Sequence, residues 1–146
     1  MLAFNLQPLH GKIVCAFNGL MILFSASERM FSMNVLVVDD HEINRTVLVR
    51  TLQKLGYSAD TATNGLEAVS ATRSKSYQLI FMDIYMPFMD GISAAEEIVS
   101  SLVNPPHIIA VSTDPSQKTR CLGFADFIEK PISFHRIKQC IDSLIS

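Results

Sequence analysis

Five times between Asn34 and the C-terminus a short apolar run is followed, across a brief connection, by a segment with helical character. No other feature restricts the fold as tightly. The first run, Val35-Leu36-Val37-Val38, is continuous and β-branched, as expected of a strand buried on both faces of a parallel sheet. Ile43, Val47, Leu48, Leu52 and Leu55 then predict a helical stripe closed by Gly56. Tyr57–Ala62 reads as a second strand, and Asn64-Gly65 turns the chain into a helix around Leu66–Arg73. Leu79–Met82 is the third strand, and its loop leads to a helix striped by Ile92, Ala95, Ile98, Val99 and Leu102. Ile108–Val111 is the fourth strand, with a polar helical piece around Ser116–Leu122 behind it. Phe127-Ile128 is a minimal fifth strand. Phe134, Ile137, Ile141 and Leu144 stripe the closing helix, with Ser133 as its N-cap. This alternation predicts an α/β fold: a doubly wound five-stranded parallel sheet with helices on both faces. In such a fold any site lies outside the carboxyl ends of the strands.

Residues 1–33 are different. Their only charges are Lys12, Glu28 and Arg29, and the apolar stretch Ile13–Phe24 is interrupted by Asn18-Gly19. That stretch is shorter than the ~20 residues a helix needs to cross a bilayer, and it imitates a secretion signal only loosely. The expectation is a flexible leader over 1–33, with Met30 and Met33 as alternative starts, ahead of one domain over 34–146. No transmembrane span is expected.

Twelve basic and fourteen acidic side chains give a net charge of −2, which offers no electrostatic case for direct nucleic-acid binding. Cys15, Cys121 and Cys140 are widely spaced and form no Cys-x-x-Cys, which favours reduced thiols and a cytoplasmic location over a disulfide scaffold or a zinc site. Cys121 and Cys140 read as small core residues. His10, His41, His107 and His135 are scattered, and none is read as a metal ligand or relay histidine.

The strand ends carry the chemistry. Asp39 and Asp40 follow the first strand, Asp83 the third, Ser112 and Thr113 the fourth, Lys130 and Pro131 the fifth. Clustered carboxylates repel one another unless they take up protons or share a cation. An oxygen-only site with open water positions suits Mg²⁺, and a carboxylate can act as a nucleophile toward phosphorus. With Lys130 and the Ser112 hydroxyl to meet the remaining phosphoryl oxygens, the set is chemically complete for receiving a phosphoryl group.

Val35–Asp40, the run Asp83-Ile84-Tyr85-Met86-Pro87-Phe88-Met89-Asp90-Gly91, and Glu129-Lys130-Pro131 together resemble the receiver domain of two-component response regulators, from about Asn34 to the C-terminus. His41-Glu42-Ile43-Asn44-Arg45 is similar to the matching stretch in hybrid sensor kinases and phosphorelays. The resemblance implies the flavodoxin-like strand order 2-1-3-4-5. It implies Asp83 as phosphoacceptor, charged by a phosphohistidine on a histidine kinase or histidine phosphotransfer protein. Mg²⁺ would be held by Asp40, with support from Asp39, together with Asp83 and the Tyr85 backbone carbonyl. Ser112 matches the switch hydroxyl, Phe127 the aromatic switch residue, Lys130 the phosphoryl-contacting lysine, and Pro131 a position preceded by a cis peptide. Pro87 and Gly91 fall at structural positions of the central motif. The resemblance also implies a signalling domain that promotes its own aspartyl phosphorylation and dephosphorylation, rather than an enzyme.

Two departures stand out. Thr113 occupies a position the family gives to Ala or Gly, which should narrow access to the phosphoryl group. Seventeen residues separate Ser112 from Lys130, fewer than the family's usual number, so the fourth helix should lose roughly one turn. Pro115 suits the first turn of what remains. Tyr85 and Met86 flank the acceptor and should modulate how water reaches the phosphoryl group. The alternatives are a degenerate receiver acting only through protein contacts, a small aspartate-nucleophile phosphatase, and a flavin- or nucleotide-binding module. The acidic loop after the first strand disfavours the last of these. Ser146 follows the closing helix directly, so no output domain is expected behind it and the effector is unknown.

Overall fold

A computed structural model describes residues 33–120 and 123–146, together with the backbone of three stretches nearer the N-terminus. The chain divides into two compact units, Met1–Ser32 and Met33–Ser146. In the first, β1 (Pro8–Leu9), β2 (Lys12–Phe17) and β3 (Leu20–Ser25) form an antiparallel sheet in that order. The register runs from Lys12 opposite Ser25 to Phe17 opposite Leu20. The apolar stretch Ile13–Phe24 is thus shared between two paired strands. The flexible leader expected over 1–33 otherwise falls outside the described residues. Among those described, no helix is long and apolar enough to cross a membrane.

The second unit runs β4 (Val35–Val38), α1 (Glu42–Lys54), β5 (Ala59–Ala62), α2 (Gly65–Ser74), β6 (Leu79–Asp83), α3 (Gly91–Ser101), β7 (His107–Ser112), a 3-10 segment (Pro115–Thr119), β8 (Asp126–Glu129) and α4 (Phe134–Ile145). Its five strands are parallel in the order β5-β4-β6-β7-β8, the doubly wound arrangement 2-1-3-4-5. Alternate residues of each strand serve opposite layers. Val35, Val37, Phe81 and Ile109 pack under α1 and α4, against Leu48, Leu52, Ile137, Cys140 and Ile141. Leu36, Val38, Ile80 and Met82 pack under α2 and α3, against Ala68, Val69, Ala94, Ala95 and Ile98. Both faces of the central strands are therefore buried, as their unbroken apolar runs require.

Helix starts follow local chemistry. The side chains of Asn64, Asp90 and Ser133 accept hydrogen bonds from the backbone N–H groups of Glu67, Ser93 and Arg136 at the openings of α2, α3 and α4. Gly56, at φ 89°, takes the left-handed conformation that ends α1.

Two expectations are corrected. Ile43 and Val47 do not belong to the core stripe of α1: they are 78% and 48% exposed. At about 100° per residue they lie roughly 180° and 140° around the helix from Leu52. The inward face is instead Leu48 and Leu52, flanked by Val49 and Leu55. The fourth helix is not an α-helix one turn short. Its described part is the five-residue 3-10 segment, capped by the Asp114 carboxylate with Pro115 in its first turn. Thirteen residues, 113–125, return the chain from the end of β7 to the start of β8. That is close to the minimum for a parallel crossover and leaves room for only a short helix.

Candidate functional site

The sheet register brings the expected residues to one edge. Val38 is level with Ala62 and Met82, Asp83 with Val111, and Ser112 with Glu129. The residues at or just beyond these levels are Asp39, Asp83, Ser112 and Lys130. Lys130 Nζ donates to Asp39 Oδ2 at 2.7 Å and to Asp83 Oδ1 at 3.2 Å, spanning 91 and 47 positions of sequence. Asp39, Asp83 and Ser112 are buried, while Asp40 and Lys130 are half-buried.

Asp39 is held from several sides. Its Oδ1 accepts from the His41 backbone N–H at 2.8 Å and from Asn44 Nδ2 at 3.3 Å, and its carbonyl accepts from Arg45 Nη1 at 2.7 Å. Asp40 and His41 lie against it. Carboxylate oxygens of Asp39 and Asp40 and a ring nitrogen of His41 all fall within 4.8 Å of one another.

The charges at this edge do not balance: three carboxylates face a single ammonium. Burial pushes Asp83 up to about 6; Lys130 opposes that rise, and the charges of Asp39 and Asp40 reinforce it. Burial also pulls Lys130 down, but its hydrogen bond to Asp39 and the charge of Asp83 outweigh this, leaving it raised. The two partners respond differently because the ammonium has two carboxylates while Asp83 has one cation against burial and two acids. An excess of buried negative charge with oxygen donors at the rim fits a small hard divalent cation such as Mg²⁺.

The loop after β6 is built tightly around Asp83. A Cβ on Gly91 would stand 2.0 Å from the Asp83 carbonyl oxygen, so no side chain fits there. The Gly91 N–H donates to the Ile84 carbonyl at 2.8 Å, and the Met89 N–H to the Pro87 carbonyl at 2.8 Å across Phe88, whose φ is 69°. The Lys130–Pro131 peptide is cis. Lys130 N–H donates to the Ser112 carbonyl at 2.8 Å, tying the two strand ends together. Ser112 Oγ accepts from the Asp114 N–H at 3.1 Å. Phe127 is half-buried against Ile84 and Ala110, and Thr113 is exposed.

Sequence reasoning overlooked several contributors. His41 reaches the site through its backbone N–H to Asp39 and its ring to Asp40, and its position directly after Asp39-Asp40 is the signal for it. Asn44 and Arg45 hold Asp39 from one turn into α1, at a spacing that predicts such contact only once the helix start is fixed. Tyr85 Oη donates to Asp114 Oδ2 at 3.1 Å, a contact between two loops that no local pattern announces.

Residues 35–142 match the family model described as the response regulator receiver domain. The chain is 34% identical over 116 residues to hybrid signal transduction histidine kinase F of Dictyostelium discoideum, covering 73% of this chain and 10% of that protein's length. Among solved structures it resembles the response regulator TrrA of Thermotoga maritima, determined in complex with Mg²⁺ and BeF, at TM-score 0.72 and 31% identity, covering 77% of this chain and 98% of that one. It likewise resembles a co-crystal of the Saccharomyces cerevisiae histidine phosphotransfer protein Ypd1 with the receiver domain of Ssk1, at TM-score 0.68 and 32% identity, covering 77% and 88%. With its fold, its edge of acids and lysine, and a family match over most of its length, this chain belongs to the response regulator receiver domain family.

Proposed function

We propose that this receiver accepts a phosphoryl group on Asp83 from the phosphohistidine of a histidine kinase or histidine phosphotransfer protein, and changes conformation as a result. The observation that carries this is the Lys130 ammonium bridging Asp39 to the buried Asp83 at the carboxyl edge of the sheet. In the transfer an Asp83 carboxylate oxygen forms the new bond to phosphorus as the phosphorus–nitrogen bond of the donor breaks. Asp39, Asp40, Asp83 and the Tyr85 carbonyl are the groups that would hold Mg²⁺, whose charge would offset that of the phosphoryl oxygens. Lys130 stays paired with Asp83 and meets one phosphoryl oxygen. Ser112 leaves the Asp114 N–H to donate its hydroxyl to another. Phe127, packed over Ile84 and Ala110, fills the space that Ser112 vacates, and so reports the event away from the site.

A receiver is a signalling module rather than a classical enzyme; its promotion of its own phosphorylation and dephosphorylation belongs to this proposal. So do a cytoplasmic location and the absence of direct nucleic-acid contact. The chain spans 10% of the length of the Dictyostelium kinase. Incubation with acetyl phosphate and Mg²⁺ tests it by intact mass. A phosphoryl adduct is expected for the parent, and none for Asp83→Asn or in the presence of a chelator. No adduct on the parent would overturn the reading.

A further inference from the structure

Two loops leave the sheet at Asp83 and at Ser112, and a side-chain hydrogen bond joins them. β6 and β7 are paired up to Asp83 opposite Val111, and the Ile84 N–H donates to the Val111 carbonyl at 3.2 Å. Beyond that pairing, Tyr85 Oη reaches across from the loop after β6 and donates to Asp114 Oδ2 at 3.1 Å. Asp114 is tied to the site a second time, because its backbone N–H donates to Ser112 Oγ at 3.1 Å. The same carboxylate holds the crossover: Oδ1 accepts from the Ser116 N–H at 3.0 Å, and Oδ2 from Gln117 Nε2 at 3.0 Å. Gln117 is buried, and its Oε1 accepts from Arg120 Nη1 at 3.1 Å at the far end of the 3-10 segment. Tyr85 itself is 53% exposed, so burial does little to hold its ring in place.

We propose that the Tyr85–Asp114 hydrogen bond is a latch that holds the crossover segment Pro115–Thr119 in its unphosphorylated arrangement, and that switching must break it. A Ser112 hydroxyl that turns to a phosphoryl oxygen on Asp83 leaves the Asp114 N–H without its acceptor. Asp114 also caps the 3-10 segment, so its movement pulls on the bond to Tyr85, which is anchored two residues from Asp83 on the opposite loop. A ligand that favours the switched state spends part of its binding energy on breaking the latch, and that part is recovered when the latch is removed. This rests on the phosphoacceptor reading above and adds to it the residue pair that opposes the switch.

The test compares the full chain with Tyr85→Phe, which removes only the hydroxyl, using beryllofluoride and Mg²⁺ as the phosphoryl mimic. In the parent, hydrogen exchange over residues 114–120 should quicken about threefold or more when the mimic binds. Without the mimic, Tyr85→Phe should already exchange there about threefold faster than the parent, with β6 and α3 unchanged. Fluorine NMR of the bound mimic should show half-saturation of the variant at a concentration about threefold lower, the reciprocal effect. Equal exchange over residues 114–120 in the two free chains, equal half-saturation, or exchange in the parent unmoved by bound mimic would each overturn the inference. So would faster exchange in β6 and α3 of the variant, the mark of a general loss of packing. Binding of the mimic by the parent would in those cases leave the receiver reading standing. A parent that binds no mimic and forms no adduct on Asp83 would defeat both.

Discussion

The behaviour of Asp83 follows from where the fold places it. Burial and two neighbouring acids hold its carboxyl at about 6, despite Lys130 at 3.2 Å. The folded chain therefore binds that proton more tightly than the unfolded chain. The resulting stabilisation is complete below the ordinary carboxylate range and is lost as pH rises through about 6. Above that value the metal-free fold carries the cost of an ionised, buried Asp83. Asp83→Asn removes that cost, so in chelator the variant should be more stable than the parent at about pH 8, by on the order of 2 kcal/mol. The advantage should vanish near pH 4, and chemical denaturation at the two pH values measures it. The residues behind this prediction were legible in the sequence because each follows a strand. His41 was not, since adjacency alone does not say where an imidazole points.

At the scale of elements, the strands were easier to read than the helices. Val35–Val38 is a strand to the residue, because a β-branched run buried on both faces has no other place in the fold. The α1 stripe was misread because counting apolar residues at spacings of three to five admits both sides of a helix. Leu52→Ala should cost about 2–5 kcal/mol, whereas Ile43→Ala should stay within about 0.5 kcal/mol; thermal or urea unfolding separates them. The 3-10 segment was anticipated only as a loss of length. Composition cannot say that thirteen residues must also cross back over the sheet. The loop after β6 makes its own prediction. Gly91→Ala forces a Cβ onto the Asp83 backbone, so α3 must move away from Asp83. It should destabilise the fold by more than about 2 kcal/mol and slow phosphorylation, whereas Ala at the exposed Phe88 should leave phosphorylation intact; unfolding midpoints and adduct yields check both.

Taken whole, the molecule places its chemistry in the second unit. All the residues proposed to handle the phosphoryl group lie within Met33–Ser146, which has its own two-layered core. A chain of residues 33–146 should fold cooperatively and accept a phosphoryl group at the rate of the full chain; circular dichroism and adduct formation over time would show it. The pairing of β2 with β3 escaped the sequence reading because their shared apolar stretch was weighed as a membrane or signal segment. Asn18-Gly19 at its middle is a pair that favours hairpin turns. The site itself was readable, because a parallel sheet delivers every strand's carboxyl end to one rim. The most direct measurement is borohydride reduction of the phosphorylated chain followed by peptide sequencing by mass, which converts an aspartyl phosphate to homoserine. Homoserine at position 83 alone is the predicted result. Homoserine at another aspartate, with residue 83 untouched, would contradict it.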